Sequence, residues 1–123
     1  MAQLRGSISF SGQSIQWSGK WGFGKEAFAA KDTGKFEFKA PGTAISDGSV
    51  VVFSGFFALK KDGTEKKVKV KEEGVTVTFS ADEGGKLSGS GSGTNKFGSF
   101  TLAGKYDPCS GRFMVSKVYK TAE

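Results

Sequence analysis

The feature that most constrains this chain is a regular alternation of apolar and polar residues in short runs that end at glycine-rich turns. Between Ser88 and Tyr119 two such runs follow one another, joined by Asp-Pro-Cys-Ser-Gly at residues 107–111. A period of two is typical of strands with one buried face, and these residue types favour tight turns. The stretch therefore predicts the closing hairpin of a β-barrel.

The first half of the chain has the same pattern. Leu4 to Phe10 and Ile15 to Phe23 alternate on either side of a turn, and Lys35 to Lys39 forms a third, shorter run. Residues 40–49 contain Pro-Gly and Asp-Gly, which predict a long loop. Val50 to Lys60 is apolar on both faces over most of its length, which predicts a strand covered on both sides.

The second half predicts further strands. Thr64 to Glu72 alternates valine and lysine, and the following Glu73-Gly74 predicts a turn into another strand. Lys86 to Gly91 forms the next run. The glycine–serine alternation at 89–93 lacks the Lys-Ser/Thr and the helix of a phosphate-binding loop, so we interpret it as a flexible or bulged barrel rim.

These runs predict one all-β domain over residues 1–123. Roughly eight or nine strands are joined mostly by loops of two to five residues, the length that hairpins prefer. A closed antiparallel up-and-down (meander) β-barrel hides every sheet edge, and a sandwich is the second choice. Nineteen glycines and twelve phenylalanines against two prolines favour short strands, tight turns and aromatic packing over helices.

A short repeat supports this architecture. An apolar residue, then Ser or Ala, then Gly occurs at residues 17–19, 53–55 and 102–104, among other places. Glycine inside a strand loses packing and entropy, so its repeated use indicates strong bends or aromatic rings lying over the backbone.

The repeat also carries a resemblance. Residues 17–21 (Trp-Ser-Gly-Lys-Trp) and 102–107 (Leu-Ala-Gly-Lys-Tyr-Asp) resemble the strand signatures of avidin-like and wider calycin meander barrels. Residues 117–120 (Lys-Val-Tyr-Lys) are similar to the last strand of the intracellular lipid-binding proteins of that group. The resemblance implies a meander barrel with an early Gly-x-Trp sealing one end. The chain has no room for a two-helix lid and no matching biotin-pocket residues, so the ligands of these families do not carry over.

Catalytic chemistry is hard to assemble from this chain. It has no histidine, the commonest general base and metal ligand, and its aspartates lie beside Gly or Pro at predicted turns. We predict a protein that is not an enzyme and that needs no cofactor and no metal. The single Cys109 forms no internal disulfide, and no leader or membrane-spanning apolar run is present, so we expect a cytoplasmic protein without membrane insertion.

Charge and aromatic residues supply the candidate binding sites. The formal charge is +6, and lysines are densest around the predicted Asp62-Gly63 turn. In this cluster Lys67, Lys69 and Lys71 are predicted to project outward as a basic ridge, although lysines also simply protect exposed strand edges. The candidate partner-binding residues here are Lys60, Lys61, Lys67, Lys69 and Lys71.

A second candidate interleaves aromatic and basic residues between 19 and 25. Lys20, Trp21, Phe23 and Lys25 are reminiscent of the stacking platforms of single-strand nucleic-acid binders. However, Trp21 and Phe23 share the parity of Trp17, and this alternation favours a buried face for all three aromatic side chains.

The sequence thus favours a non-catalytic binding module that engages a protein partner or a modest ligand through its rim loops or a basic face. The alternative is a nucleic-acid-binding barrel that uses the lysine ridge and the aromatic platform. Since nearly all the basic residues are lysines, such binding is expected to be weak at physiological salt and to lack sequence preference. The oligomeric state stays open, and a cavity or a solid interior would point to different functions.

Overall fold

The computed structural model describes residues 2–23, 34–60, 67–95 and 97–120, which form one closed antiparallel barrel. Its eight strands follow one another around the barrel in chain order. They are β1 (Ala2–Ser11), β2 (Ser14–Phe23), β3 (Gly34–Pro41), β4 (Val50–Lys60), β5 (Lys67–Ala81), β6 (Leu87–Asn95), β7 (Gly98–Tyr106) and β8 (Arg112–Tyr119).

The first and last strands close the barrel. β1 pairs with β2 on one side and with β8 on the other, in a register that places Leu4 opposite both Trp21 and Val115. Each strand therefore has two neighbours, and no sheet edge remains among the described strands. The predicted meander barrel is confirmed, and the sandwich alternative is wrong. Within the same residues, no helix is long and apolar enough to cross a membrane.

Two predicted interruptions are in fact parts of strands. Glu73-Gly74 is not a hairpin turn, because β5 runs through it for fifteen residues with a shift of register against both neighbours. Gly74 has a φ of 67°, which glycine adopts readily, and this is typical of a bulge. The glycine–serine run likewise is not a rim: it lies inside β6 and pairs with β5 and β7.

The prediction for β4 was wrong about its outer face. Val51, Phe53 and Phe57 point inward and are buried, whereas Val50 and Val52 are 61% and 47% exposed. The apolar residues on the outer face of β4 are not covered by a second layer of described residues, because a closed barrel has a single interior.

Large aromatic side chains fill one half of the interior. Trp17 lies at its centre, with ring centroids of Phe36, Phe113 and Phe38 between 4.8 and 5.6 Å away. The Trp17 indole N–H donates to the Phe113 carbonyl oxygen at 3.2 Å, so its polar atom is satisfied inside the core. The predicted burial of Trp17, Trp21, Phe79, Phe100 and Leu102 is confirmed.

The β3–β4 loop covers this aromatic end of the barrel. Ile45 packs against the core, the Gly48 amide donates to the Phe79 carbonyl, and the Ala81 amide donates to the Asp47 carboxylate. We call this the closed end. The opposite end, where β2, β4, β6 and β8 finish, is called the open end below because a pocket opens there among the described residues; its connections 24–33 and 61–66 lie outside them.

Inward-facing glycines make room for the rings. A methyl group on Gly89 would lie 2.8 Å from the ring of Phe113, and one on Gly93 would lie 2.7 Å from the ring of Phe100. Both distances are too short for carbon atoms, so the rings occupy the space of absent side chains. Of the repeat glycines, Gly89 lies under a ring as predicted, whereas a methyl group on Gly19, Gly55 or Gly104 would first meet the backbone of a neighbouring strand.

Turn-forming aspartates also take the predicted role. Asp82 accepts hydrogen bonds from the amides of Gly84 and Lys86, and Asp107 accepts one from the amide of Cys109. Asp32 and Asp62 lie outside the described residues. Cys109 is exposed in the β7–β8 turn, as its position in the sequence predicts.

Candidate functional site: an apolar pocket beside a buried ion pair

A pocket of about 340 Å³ opens into the barrel at the open end. Its walls come from strand ends that converge there, namely β1, β2, β4 and β8, and from the β6–β7 turn. Among the described residues, the lining side chains are almost all apolar: Ala2, Leu4, Trp21, Phe23, Phe57, Phe97, Lys117 and Tyr119. The rings packed around Trp17 therefore leave space within the barrel at the open end.

Trp21 forms a fixed part of this wall. The Trp21 indole N–H donates to the Ala58 carbonyl oxygen at 2.9 Å. Ala58 follows Phe57, where the pairing between β3 and β4 ends. A methyl group on Gly34 would lie 2.5 Å from the indole nitrogen, so a larger residue would displace the ring. Trp21 is thus held in place by a side-chain hydrogen bond and by a glycine.

An ion pair crosses the interior beside the pocket. The Lys117 ammonium on β8 donates to Glu72 Oε1 on β5 at 2.6 Å, and the two residues are only 4% and 1% exposed. Removing two charges from water is costly, and the cost is recovered only with good geometry and additional partners. This pair is therefore the most unusual chemical feature of the described interior.

Aromatic rings surround the ammonium. Lys117 Nζ lies 4.1 Å from the ring centroid of Phe100, 4.5 Å from that of Phe57 and 5.3 Å from that of Tyr119. The negative face of an aromatic ring attracts a cation, most strongly where water is excluded. The three rings and one carboxylate together stabilise the charge of Lys117 inside the barrel.

A hydrogen bond between two further side chains extends this cluster. The Asn95 amide donates to the Tyr119 hydroxyl oxygen at 2.8 Å, which leaves the hydroxyl proton of Tyr119 available to a ligand. Tyr119 and Lys117 both line the pocket. We refer to Glu72, Asn95, Lys117 and Tyr119 as the polar wall.

Burial sets the protonation of Glu72. Desolvation raises the pKa of its carboxyl above the usual 4.5, and the Lys117 ammonium offsets part of this rise. The Asn95 amide lowers the pKa least among these neighbours. None of the described residues donates a hydrogen bond of ordinary geometry to Glu72 Oε2. This agrees with a raised pKa, because hydrogen-bond donors would stabilise the ionised carboxylate.

This shift predicts a pH dependence of folding. Because the pKa of Glu72 is higher in the folded state, its protonated form stabilises the protein below about pH 4.5, and that stability is lost as the pH rises through the raised pKa. We expect the free energy of unfolding of the wild type, minus that of Glu72→Gln, to fall over this interval. Urea titrations at several pH values measure the difference, and the subtraction removes the other carboxyl groups. If this difference in unfolding free energy instead rises with pH, the attraction of Lys117 lowers the pKa of Glu72 by more than burial raises it.

The sequence-predicted site residues separate into two groups. Trp21 is buried in the pocket wall, and Phe23 is 64% exposed at its mouth, so the predicted burial of Phe23 is wrong. Lys20, Lys69 and Lys71 are exposed on the outer surface, away from the pocket. The side chains of Lys60 and Lys67, and the whole of Lys25 and Lys61, lie outside the part that the structure describes.

The sequence interpretation missed the polar wall. The alternation placed Lys117 on the inward side of β8 between Val115 and Tyr119, and Glu72 continues the inward positions of Val70 on β5. Two opposite charges at inward positions of different strands are a signal for an internal ion pair. The two charges can be recognised as a pair only when the order and register of the strands in the barrel are known.

Comparisons with known proteins do not extend the assignment. No protein-family model matches the chain, and no curated protein or solved structure is significantly similar to it.

Proposed function

We propose that this protein is a non-catalytic binding module that holds a small, mainly apolar ligand in the open-end pocket. The observation that carries the proposal is a pocket whose described lining is apolar except for Lys117 and Tyr119, which lie together on β8. Ligand sites in proteins commonly combine hydrophobic walls with a few placed polar groups. The pocket volume of about 340 Å³ is near the lower limit of such sites, which suits a ligand of one or two rings or a short chain.

The polar wall favours a ligand with one hydrogen-bond acceptor. Tyr119 has a hydroxyl proton to donate, and Lys117 brings a cation to the same side of the pocket. A carbonyl, ether or hydroxyl oxygen would fit these donors without removing Lys117 from Glu72. A carboxylate would compete with Glu72 for the ammonium, so we favour a neutral ligand.

A relationship to calycin-type barrels is part of the same proposal. The eight-stranded meander and a last strand with Lys117 and Tyr119 facing the pocket support it. The avidin-like variant has less support, since Trp21, the tryptophan of the early Gly-x-Trp, lines an open pocket here. Barrels of this size are suited to enclosing one small ligand.

The fluorescence of an apolar probe tests the pocket. We expect a neutral naphthyl alcohol to bind one site and to change the emission of Trp21, and the anionic 1-anilinonaphthalene-8-sulfonate, which would compete with Glu72 for Lys117, to bind more weakly. In Ala2→Phe the new ring would occupy the pocket, so affinity should fall at least about tenfold, or 1.4 kcal/mol. Isothermal titration calorimetry with the neutral probe gives the stoichiometry independently.

Ala103→Phe is the matched control, because Ala103 is exposed on the outer face of β7. This variant should bind the probes like the wild type. Circular dichroism and the unfolding midpoint establish that both variants are folded, since anilinonaphthalene dyes also bind loosened states. Equal binding by the wild type and by folded Ala2→Phe would overturn the pocket assignment.

A further inference from the structure

A second concave region lies on the outside of the barrel, across β2 to β5. This groove has a volume of about 630 Å³, and its lining includes Lys20, Lys35, Lys69 and Phe56. The outer surface of a small barrel is normally convex, so a groove there is itself notable. It does not belong to the ligand pocket, which opens at the end of the barrel.

The register aligns basic residues across the strands. Lys20 on β2 is paired with Arg5 on β1 and with Lys35 on β3. On the far side of the groove, Lys69 on β5 is paired with Ala58. Three interstrand steps separate Lys20 from Lys69, which is about 14 Å at the usual strand spacing.

Lys71 adds a fourth cation beside this row, opposite Phe56. We call Lys20, Lys35, Lys69 and Lys71 the basic belt. All four are exposed, and within the described residues none of them forms an ion pair. Lys69 Nζ instead lies 4.5 Å from the ring centroid of Phe56.

Among the residues that the structure describes, acidic groups leave the belt largely without counter-charges. Glu37 is the carboxylate that lines the groove, and it accepts a hydrogen bond from Gln16 at 3.2 Å. Glu73 lies farther along β5, beyond Lys71. Lys20, Lys35 and Lys69 line the groove without an ion pair to any described residue, and Lys71 lies beside it, so the groove attracts an anion with several charges.

We infer that the basic belt binds a single-stranded nucleic acid through its phosphates. Lys20, Lys35 and Lys69 lie in a row along a concave groove, which fits a flexible polyanionic chain better than the flat surface of a membrane. The half-buried Phe56 ring gives the groove an apolar floor for a sugar or a base. Lysines contact phosphate as point charges, so recognition is independent of base sequence.

The geometry changes the surface that the sequence had suggested. The predicted ridge ran along β5 through Lys67, Lys69 and Lys71. The belt instead crosses four strands, and it includes Lys35, which the sequence analysis did not select. This inference is independent of the pocket proposal, because the two sites share no residue.

Salt-dependent binding of short labelled oligothymidylate and oligouridylate tests the belt, with fluorescence anisotropy as the readout. Four phosphate contacts predict a log–log salt slope of about −2.8, so affinity should fall about 20-fold between roughly 50 and 150 mM salt. In Lys20→Gln/Lys35→Gln/Lys69→Gln the slope should fall to about −0.7, with at least a tenfold loss of affinity at the lower salt concentration.

The matched control is Lys86→Gln/Lys105→Gln/Lys120→Gln, which removes the same charge from exposed lysines outside the belt. The inference predicts that it binds like the wild type, and that Ala2→Phe does too. Equal losses in the two triple variants, or no binding at the lower salt concentration, would overturn it. Polyglutamate and phosphatidylserine vesicles are the competitors. If either binds the belt as tightly as the oligonucleotides at equal charge concentration, a nucleic-acid site is rejected in favour of an acidic-protein or membrane surface.

Discussion

Trp17→Ala is expected to lower the free energy of unfolding by about 3–5 kcal/mol, the usual loss when a large aromatic side chain is removed from a core. Trp17 is fully buried, contacts three phenylalanine rings within 5.6 Å and donates to the Phe113 carbonyl. The closed end cannot collapse easily around the lost ring, because adjacent strands constrain one another. Urea unfolding followed by circular dichroism measures the change.

Val52→Ala is the control, since this side chain is 47% exposed on the outer face of β4. Its effect should stay within about 0.5 kcal/mol, as for most surface substitutions. Trp17→Phe is a second variant that keeps a ring and removes the hydrogen bond to Phe113, and it should lie between the other two. A Trp17→Ala protein as stable as Val52→Ala would show that the closed half of the interior is not tightly packed.

Lys117→Met is expected to destabilise the protein by about 3–5 kcal/mol at neutral pH, because it leaves the buried Glu72 carboxylate without its counter-charge. Methionine keeps much of the length of the lysine stem, so the loss reflects charge more than volume. The loss should shrink at low pH, where Glu72 is protonated. Thermal or urea unfolding at pH values on both sides of the Glu72 titration gives the comparison.

Two further variants separate the ion pair from other effects. Lys117→Met/Glu72→Leu replaces both charges with apolar groups and should recover most of the lost stability, as buried pairs often allow. Lys105→Met removes the same kind of side chain from an exposed bridge to Asp82, in which Lys105 is 57% exposed, and should have little effect. Similar losses in Lys117→Met and Lys105→Met would contradict the buried pair.

The two halves of the interior have different physical roles. The aromatic half around Trp17 supplies the burial that holds the barrel together, while the open half gives up packing for a pocket and a buried ion pair. Functional sites commonly depart from the most stable packing in this way. We therefore expect the Lys117→Met/Glu72→Leu protein to recover most of the wild-type stability but to bind the neutral probe more weakly.

Local patterns in the sequence determined most of the strands and turns. The alternation around Trp17 and Leu102 predicted the inward face because the side-chain period of a strand is two, and Asp82 and Asp107 predicted turns because their side chains hydrogen-bond nearby amides. The same local rules failed at Glu73-Gly74, where a bulge and a turn use similar residues. They failed also at Val50 and Val52, whose exposure depends on whether another layer covers the barrel.

Only the tertiary structure decided which distant residues meet. Glu72 and Lys117 are 45 residues apart, and they pair because barrel closure brings the inward faces of β5 and β8 across one interior. Lys20, Lys35 and Lys69 form a row because of the pairing registers of four strands, which no single run of sequence contains. Alternation specifies the face of a residue, whereas register and closure specify its neighbours, and both candidate sites of this protein depend on neighbours.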